Sequence, residues 1–560
     1  MFARIKKTGG YGYLQLVENH REGNKVKQTV IATLGRSDQL NESGKLNSLL
    51  RSLTKQSVHA MLIEARDKGQ EIGVETRRIG APLLFQRLWE KTGCAAVIQH
   101  FLSQREFEIP IERIIFSTVM HRILSSGSDR ACVLRWLPGY HVHDLDELHL
   151  HQWYRAMAWL GEILGAPAQQ IGKTPFAPRC TKDLIEERLF TLTRDLFTEI
   201  DVAFFDTTTL YFEGQGGDTI GCRGHNKDGH PELPQMVVGV VMDNTGRPIC
   251  CEMWPGNTAD VSTLIPIVDR LRKRFGIRSV CIVADRGMIS TETISELEKR
   301  KWEYILGARL RSTTEVREDV LGRAGRYQTV HPPSADPKAP SPLKVKEVWV
   351  DDHRYVVCLN PSQARKDASD REAIVESLKA ALRCGDKSLV GNKGYRRYLR
   401  TGDHDFSIDE EKISEEARYD GKWVLRTNTS LSSSEVALKY KQLWMVESLF
   451  RLMKSLFETR PIYHKLDETI RGHVFCSFLA LKLMNEFQSC LETHGINTEL
   501  CQVLSDIDTL TEVDVVQDNK RFVLRSNVKG VCGKAFGAVG VAMPPTIRQA
   551  GGCGAQDRLA

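Results

Sequence analysis

Among the 14 cysteines of the chain there is no Cys-x-x-Cys pair and no regular spacing. A disulfide framework is therefore excluded, and a reduced, cytosolic protein is expected. The opening MFARIKKTGGYGY lacks the long apolar core that a secretory signal needs. No apolar run reaches the ~20 residues of a membrane span. The longest, HVFCSFLALKLMNEF, is interrupted by Lys482 and preceded by Arg471, and reads as a buried helix. Charge of neither sign dominates: Lys and Arg number 77 against 71 Asp and Glu, a net charge of +6. That excess permits a nucleic-acid partner without arguing strongly for one. What is present is an ordinary globular composition, 41% hydrophobic and 26% charged over 560 residues, with length for roughly three or four domains of ~150 residues.

Hydrophobic periodicity divides the chain. Residues 1–37 alternate apolar and polar positions around a charged turn at Gly23-Asn24 and read as a β-hairpin segment. Residues 38–198 change to three- and four-residue spacing, as in APLLFQRLWEKTG and IERIIFSTVMHRIL, and form a helical region. Residues 199–308 alternate strands and helices: VAFFD ends in Asp206, a hairpin turns at Asn244-Thr245-Gly246, and SVCIVAD ends in Asp285. That order describes a mixed α/β sheet with helices packed on it. Residues 309–421 lose the regularity, with a Pro-rich loop, and read as an insertion; the strand pattern resumes at KWVLRTN. Ser432 and Glu435 form a capping box that starts a long helix. Residues 493–560 are less regular and end in a glycine-rich stretch read as a flexible tail.

Three acids carry the chemistry. Asp206 and Asp285 each stand at the end of a buried strand, with Thr207, Thr208 and Thr209 following the first as local backbone partners. On the long helix, Leu443, Val446, Phe450, Met453 and Phe457 make a buried stripe, and Tyr440, Glu447, Arg451 and Lys454 a second stripe beside it. Each acid taken alone is equally a turn cap or a solvated helix position. Brought together at one sheet edge, three carboxylates cannot all stay ionised without a counter-charge. Two divalent cations supply it, and hard oxygen ligands select Mg²⁺ or Mn²⁺ over zinc. A metal pair of that kind serves in-line displacement at phosphorus, which makes phosphodiester chemistry the natural use.

Asp206, Asp285 and Glu447, with Tyr440 and Lys454 at the spacing of a Tyr-Arg-Glu-Lys signature, resemble the DDE-class cut-and-paste insertion-sequence transposases. The blocks GHNKDGHPELPQMVVGVVMD, VADRGMIS, GKWVLRTN and RPIYHKLDETIRGHVFCSFLALKL resemble one bacterial branch of that family, over roughly residues 1–490. The resemblance implies a ribonuclease H-like catalytic core of residues 199–308 and 422–492, interrupted by a β-rich insertion domain of residues 309–421 between the second and third acids. It implies catalysis and metal binding by Asp206, Asp285 and Glu447, and DNA contacts by Tyr440 and Lys454. The signature arginine is replaced by Leu443, so its role does not carry over, and Arg451 is the substitute candidate. As partners it implies double-stranded DNA, both transposon ends and target, with end binding by the helical region. It further implies a hairpin intermediate and synapsis by a homodimer, at the nucleoid of a bacterial or archaeal cytoplasm. A metal-dependent nuclease that never joins, and an inactive DNA-binding protein, stay open beside this reading.

Other clusters are weaker. His141, His143, His149 and His151 lack the accompanying Cys or acid spacing of a metal site. EGQGGDTIGCRGHNKDGH lacks the Gly-Lys-Ser/Thr of a phosphate loop and reads as a mobile loop beside the site, with Lys227 a DNA contact. DRLRKRFGIR, with Arg270, Arg272, Lys273, Arg274 and Arg278, is the densest basic run of the core, either a solvated helix end or a DNA-backbone surface.

Overall fold

Three strands, not two, open the chain in the computed structural model: β1 (Phe2–Thr8), β2 (Tyr11–Glu22) and β3 (Lys25–Arg36) form an antiparallel sheet in that order. The structure describes residues 2–22, 25–42, 45–46, 48–49, 73–145, 147–165, 177–193, 201–277, 280–334, 339–383, 397–401, 406–517 and 520–550. The expected turn at 23–24, Arg278 and the end of the expected tail lie outside them. The chain divides into two units, one of Met1–Arg78, Thr509–Lys529 and Met543–Ala560, the other of Ile79–Asp508 and Gly530–Ala542.

The second unit carries the acids. Its helices include α1 (Gly80–Lys91), α2 (Ile111–Leu124), α3 (Leu150–Gly161), α4 (Thr181–Thr193), α5 (Leu264–Phe275), α6 (Pro361–Arg383), α7 (Ser433–Lys441), α8 (Trp444–Arg451), α9 (Asp467–Thr493), α10 (Leu500–Asp508) and α11 (Cys532–Val539). Its main sheet is built of β5 (Val202–Tyr211), β6 (Gln235–Asp243), β7 (Pro248–Pro255), β8 (Cys281–Ala284), β9 (Glu303–Gly307), β10 (Gln328–His331), β11 (Leu343–Val350), β12 (His353–Leu359) and β15 (Lys422–Thr427). The spatial order is β10-β11-β12-β15-β9-β8-β5-β6-β7. β5, β6 and β7 are an antiparallel meander, while β8 and β9 run parallel to β5. A short pair, β13 (Leu399–Thr401) with β14 (Phe406–Ile408), stands apart.

Alternation along β5 sends Ala203 and Phe205 into a core with Val237 and Val241 of β6 and Leu264, Ile267, Val268 and Leu271 of α5. Asp206 falls on the opposite face. The acid is not at the tip of its strand, as the sequence suggested. β5 runs on to Tyr211 against β6, and it is the parallel neighbour β8 that stops, after Phe205 pairs with Ala284.

Of the strands in the expected insertion, β10, β11 and β12 join the main sheet and only the short β13–β14 pair, among the described residues, stands apart from it. β11 and β12 pair antiparallel and join β15, which joins β9, so they extend the core sheet. The long helix expected from residue 433 is also interrupted. Its capping box is present, but α7 ends before Gln442, α8 begins at Trp444, and a π-helical turn follows over Leu452–Leu456. The five stripe residues Leu443, Val446, Phe450, Met453 and Phe457 are all buried.

α9 is buried on nearly every face, as a helix apolar all round must be. It crosses α3 through glycines: a Cβ on Gly472 would enter the Met157 carbonyl, and one on Gly161 the Glu468 carbonyl. Among the described residues no helix is long and apolar enough to cross a membrane.

Two further expectations change. The helical region contains a strand, β4 (Gly73–Arg78), which pairs with β16 (Thr511–Gln517) in a sheet completed by β17 (Lys520–Arg525) and β18 (Ile547–Ala550). The expected tail holds β18 and also α11, whose Cys532, Ala535, Phe536 and Val539 are buried. Its glycines conceal an apolar spacing that gives the helix one buried face.

Candidate active site

Because β5 and β8 are parallel neighbours with Phe205 opposite Ala284, the next residue of each, Asp206 and Asp285, comes side by side where β8 ends. Asp206 accepts the backbone N–H of Thr207 at 2.7 Å. Its carboxyl is pushed up to about 6 by burial, against the pull of Lys227 and that backbone bond, with Asp285 and Asp260 adding repulsion. Asp285 accepts the hydroxyl of Tyr440 at 2.9 Å. Burial and the neighbouring Asp285 together hold that phenol well above its ordinary range.

Tyr440 reaches Asp285 only because residue 307 is glycine: a Cβ there would collide with the Tyr440 hydroxyl. Gly307→Ala is therefore expected to slow single-turnover DNA cleavage roughly ten- to a hundredfold, the usual cost of losing a carboxylate's outer partner. Tyr440→Phe should match that loss without the steric strain. A normal cleavage rate in both variants would remove Tyr440 from the site.

The third acid approaches from a different element. α8 packs on β5 and β6 and carries Glu447 in its first turn. The Glu447 side chain is exposed. Arg451, the proposed arginine substitute, is exposed one turn later. Lys454, in the π-helical turn, points elsewhere, to Asp228 at 2.8 Å. The interruption of the helix is what separates these directions. Tyr440 and Lys454, both expected on DNA, are thus engaged by Asp285 and Asp228.

Sequence reasoning missed several neighbours. Asp260 accepts Thr207 Oγ1 at 2.7 Å and pairs with Lys227 at 3.0 Å. The Lys227 ammonium also donates to the Thr207 carbonyl at 2.8 Å. Arg460 pairs with Asp228. The signal available for these was the density of charged residues in HNKDGH; nothing local in sequence ties Asp260 or Arg460 to it.

The site's hard carboxylate oxygens fit Mg²⁺ or Mn²⁺ by type. Two half-buried acids side by side, one already lifted toward protonation, are a pair that a cation would relieve. Among the described residues, the trio whose ligand atoms lie within 4.8 Å of one another is a different one, Asp129, His464 and His473. It is filled by a guanidinium: Arg122 donates to His473 Nδ1 at 2.9 Å and lies 3.8 Å from Asp129. Burial and that cation lower His473 to about 4. A buried, hydrogen-bonded polar core is the outcome.

The other clusters resolve as structure. His141 and His143 lie ring to ring, as do His149 and His151, and His149 caps α3. Arg270 and Arg274 of the basic run are buried, Arg270 on Glu252 and Arg274 on Asp183, Glu186, Glu187 and Glu252. Arg272 and Lys273 remain exposed.

Residues 198–483 match the family described as the transposase DDE domain. Residues 3–61 match the N-terminal domain of the IS1634 family transposases. No curated protein matches the chain. A solved piggyBac transposase synaptic complex with hairpin DNA aligns over 76% of this chain and 79% of that one, with a TM-score of 0.38 and 12% identity. That similarity is too remote to carry fold or function.

Proposed function

Since the chain belongs to the transposase DDE domain family, which matches residues 198–483, we propose that it cuts the phosphodiester at each end of its element and joins the freed 3′-hydroxyl to target DNA. The observation that carries the reading is the pair Asp206 and Asp285 at the open edge between β5 and β8, with Glu447 on a helix packed against β5. The sheet supports a ribonuclease H-like core: a β7-β6-β5 meander followed by β8 and β9 parallel to β5.

In this reading Asp206, Asp285 and Glu447 hold Mg²⁺ or Mn²⁺, two per site. Bound there, such cations would supply activation of a water or a 3′-hydroxyl and charge stabilisation of the departing oxygen. The protein's own part is orientation. The Thr207 N–H fixes one oxygen of Asp206, and the Tyr440 hydroxyl fixes one of Asp285. Lys227, tied to Thr207 and Asp260, offsets the negative charge before DNA arrives. Lys454 and Arg451 offer cations to backbone phosphates, which adds affinity without sequence reading. Residues N-terminal to the core, 38–198 among them, read the transposon ends, and two copies of the chain bring two ends together.

The test is purified protein with Mg²⁺ and labelled DNA carrying the element's own ends. Excision followed by strand joining is expected. Cleavage without joining would reduce the protein to a nuclease, and binding without cleavage would leave a DNA-binding protein.

A further inference from the structure

The loop after β5 is pinned at two successive residues. Lys227 is held on the catalytic strand by Thr207 and Thr209: its N–H donates to Thr209 Oγ1 at 3.0 Å and its ammonium to Thr207. Asp228 turns away and is gripped by two cations, Lys454 at 2.8 Å and Arg460. The Asn226 side chain shapes the turn by accepting the N–H of Asp228 at 2.7 Å and of His230 at 3.3 Å.

This is an unusual place for a carboxylate. Side-chain exposures of Lys454, Asp228 and Arg460 are 13%, 12% and 23%, so the group is largely desolvated yet reachable. Two cations face one anion, and Lys227 adds a third positive charge nearby. Arg460 is steadied over the ring of Tyr211, at the end of β5, 5.6 Å from its centroid. An ammonium and a guanidinium converging on one oxyanion is the donor set that recognises a phosphate. The seat is one residue along the chain from Lys227, whose ammonium bonds the residue following Asp206. A carboxylate and a phosphodiester each carry one negative charge, so exchanging them leaves the charge at the seat unchanged.

Resting on the transposition reading above, we propose that Lys454 and Arg460 form a two-cation seat for a backbone phosphate beside the scissile bond. Asp228 holds that seat as an internal surrogate until DNA displaces it. Arg460 is then a DNA-binding residue, and the loop over residues 226–230 a latch that an incoming strand must open. Displacement weakens DNA binding by the free energy of the internal pair, so the latch favours strands with enough other contacts to open it.

The experiment uses the full-length protein in EDTA, where nothing is cut, and a short fluorescent DNA duplex titrated at several salt concentrations. Asp228→Asn, which keeps shape and removes charge, is expected to bind about tenfold tighter. Arg460→Gln should bind about tenfold weaker and lower the log–log salt slope by about one, the mark of one lost phosphate contact. Arg460→Lys should keep the slope. Adding Asp228→Asn to Arg460→Gln should bring little of the gain seen in the wild-type background.

The seat is overturned if Asp228→Asn binds no tighter than wild type while Arg460→Gln leaves the slope unchanged. It is overturned equally if both variants lose thermal stability with no change in DNA affinity, the behaviour of a purely structural ion pair. Protein whose variants behave as expected in EDTA but which cuts nothing with Mg²⁺ supports the seat and overturns the transposition reading.

Discussion

Asp206→Ala, Asp285→Ala and Glu447→Ala are each expected to drop DNA cleavage by roughly a thousandfold or more while leaving DNA binding in place. Charge stabilisation by a metal site is worth several kcal/mol, and at ~1.4 kcal/mol per decade three decades need only about 4 kcal/mol. Stability is expected to move the other way at Asp206. Its carboxyl sits at about 6 instead of 3.8, chiefly through burial, so the folded protein holds this proton more tightly than the unfolded chain does. The resulting penalty is absent below about pH 4, grows toward pH 6 and is complete above it. At ~1.4 kcal/mol per pH unit it amounts to roughly 3 kcal/mol. Asp206→Asn should therefore melt at a higher temperature than wild type at pH 8, with no activity. Mg²⁺ should raise the melting temperature of wild type and not of the variant. A variant that cleaves normally, or that is equally destabilised at every pH, would remove Asp206 from the metal site.

The second large effect is structural. Arg274→Ala is expected to cost roughly 3–5 kcal/mol, the usual result of removing one member of a buried ion pair. Its guanidinium lies 3.3 Å from Asp183, 2.8 Å from Glu186, 2.7 Å from Glu187 and 2.8 Å from Glu252. Burial disfavours the charge, but Asp183 and Glu186 outweigh it and hold the group above its ordinary range. With Arg274 gone, Lys182 and Arg270 are left to balance Asp183, Glu186 and Glu252, all nearly inaccessible to water. Arg272→Ala, two residues away and exposed, should stay within about 0.5 kcal/mol of wild type. Urea unfolding of the two variants measures the contrast. If Arg274→Ala instead unfolded like wild type and weakened DNA binding, the basic run would be a DNA surface after all.

That run shows where sequence reading loses its grip. The amphipathic period of α5 was legible, but the acids that neutralise Arg274 sit on α4 and β7, and no local pattern ties them to it. The same limit hid β4, whose partner β16 lies more than three quarters of the chain away, Thr511 pairing with Arg78. Legible features were those with a short physical range: the apolar strands around Asp206 and Asp285, the Ser432–Glu435 cap and the buried stripe from Leu443 to Phe457. The parallel pairing of β5 and β8 turns those local strands into neighbouring acids. The break at Gln442 and the π-helical turn after Arg451 went unseen because the stripe stays buried through both. They decide where Tyr440, Glu447 and Lys454 point, so the acids were readable and their surroundings were not. Asp228, Arg460 and Asp260 reach the site through loops and turns, for which periodicity carries no signal.

The pairing of β4 with β16 also sets a timetable for synthesis. At ~5–20 residues per second, β4 leaves the ribosome roughly 20 to 90 s before its partner strand exists. All of Ile79–Asp508, the larger segment of the unit that carries the acids, is made in that interval. The sheet of β4, β16, β17 and β18 is consequently the last to close. A chain released early would hold every acid of the site while lacking the strands that complete β4.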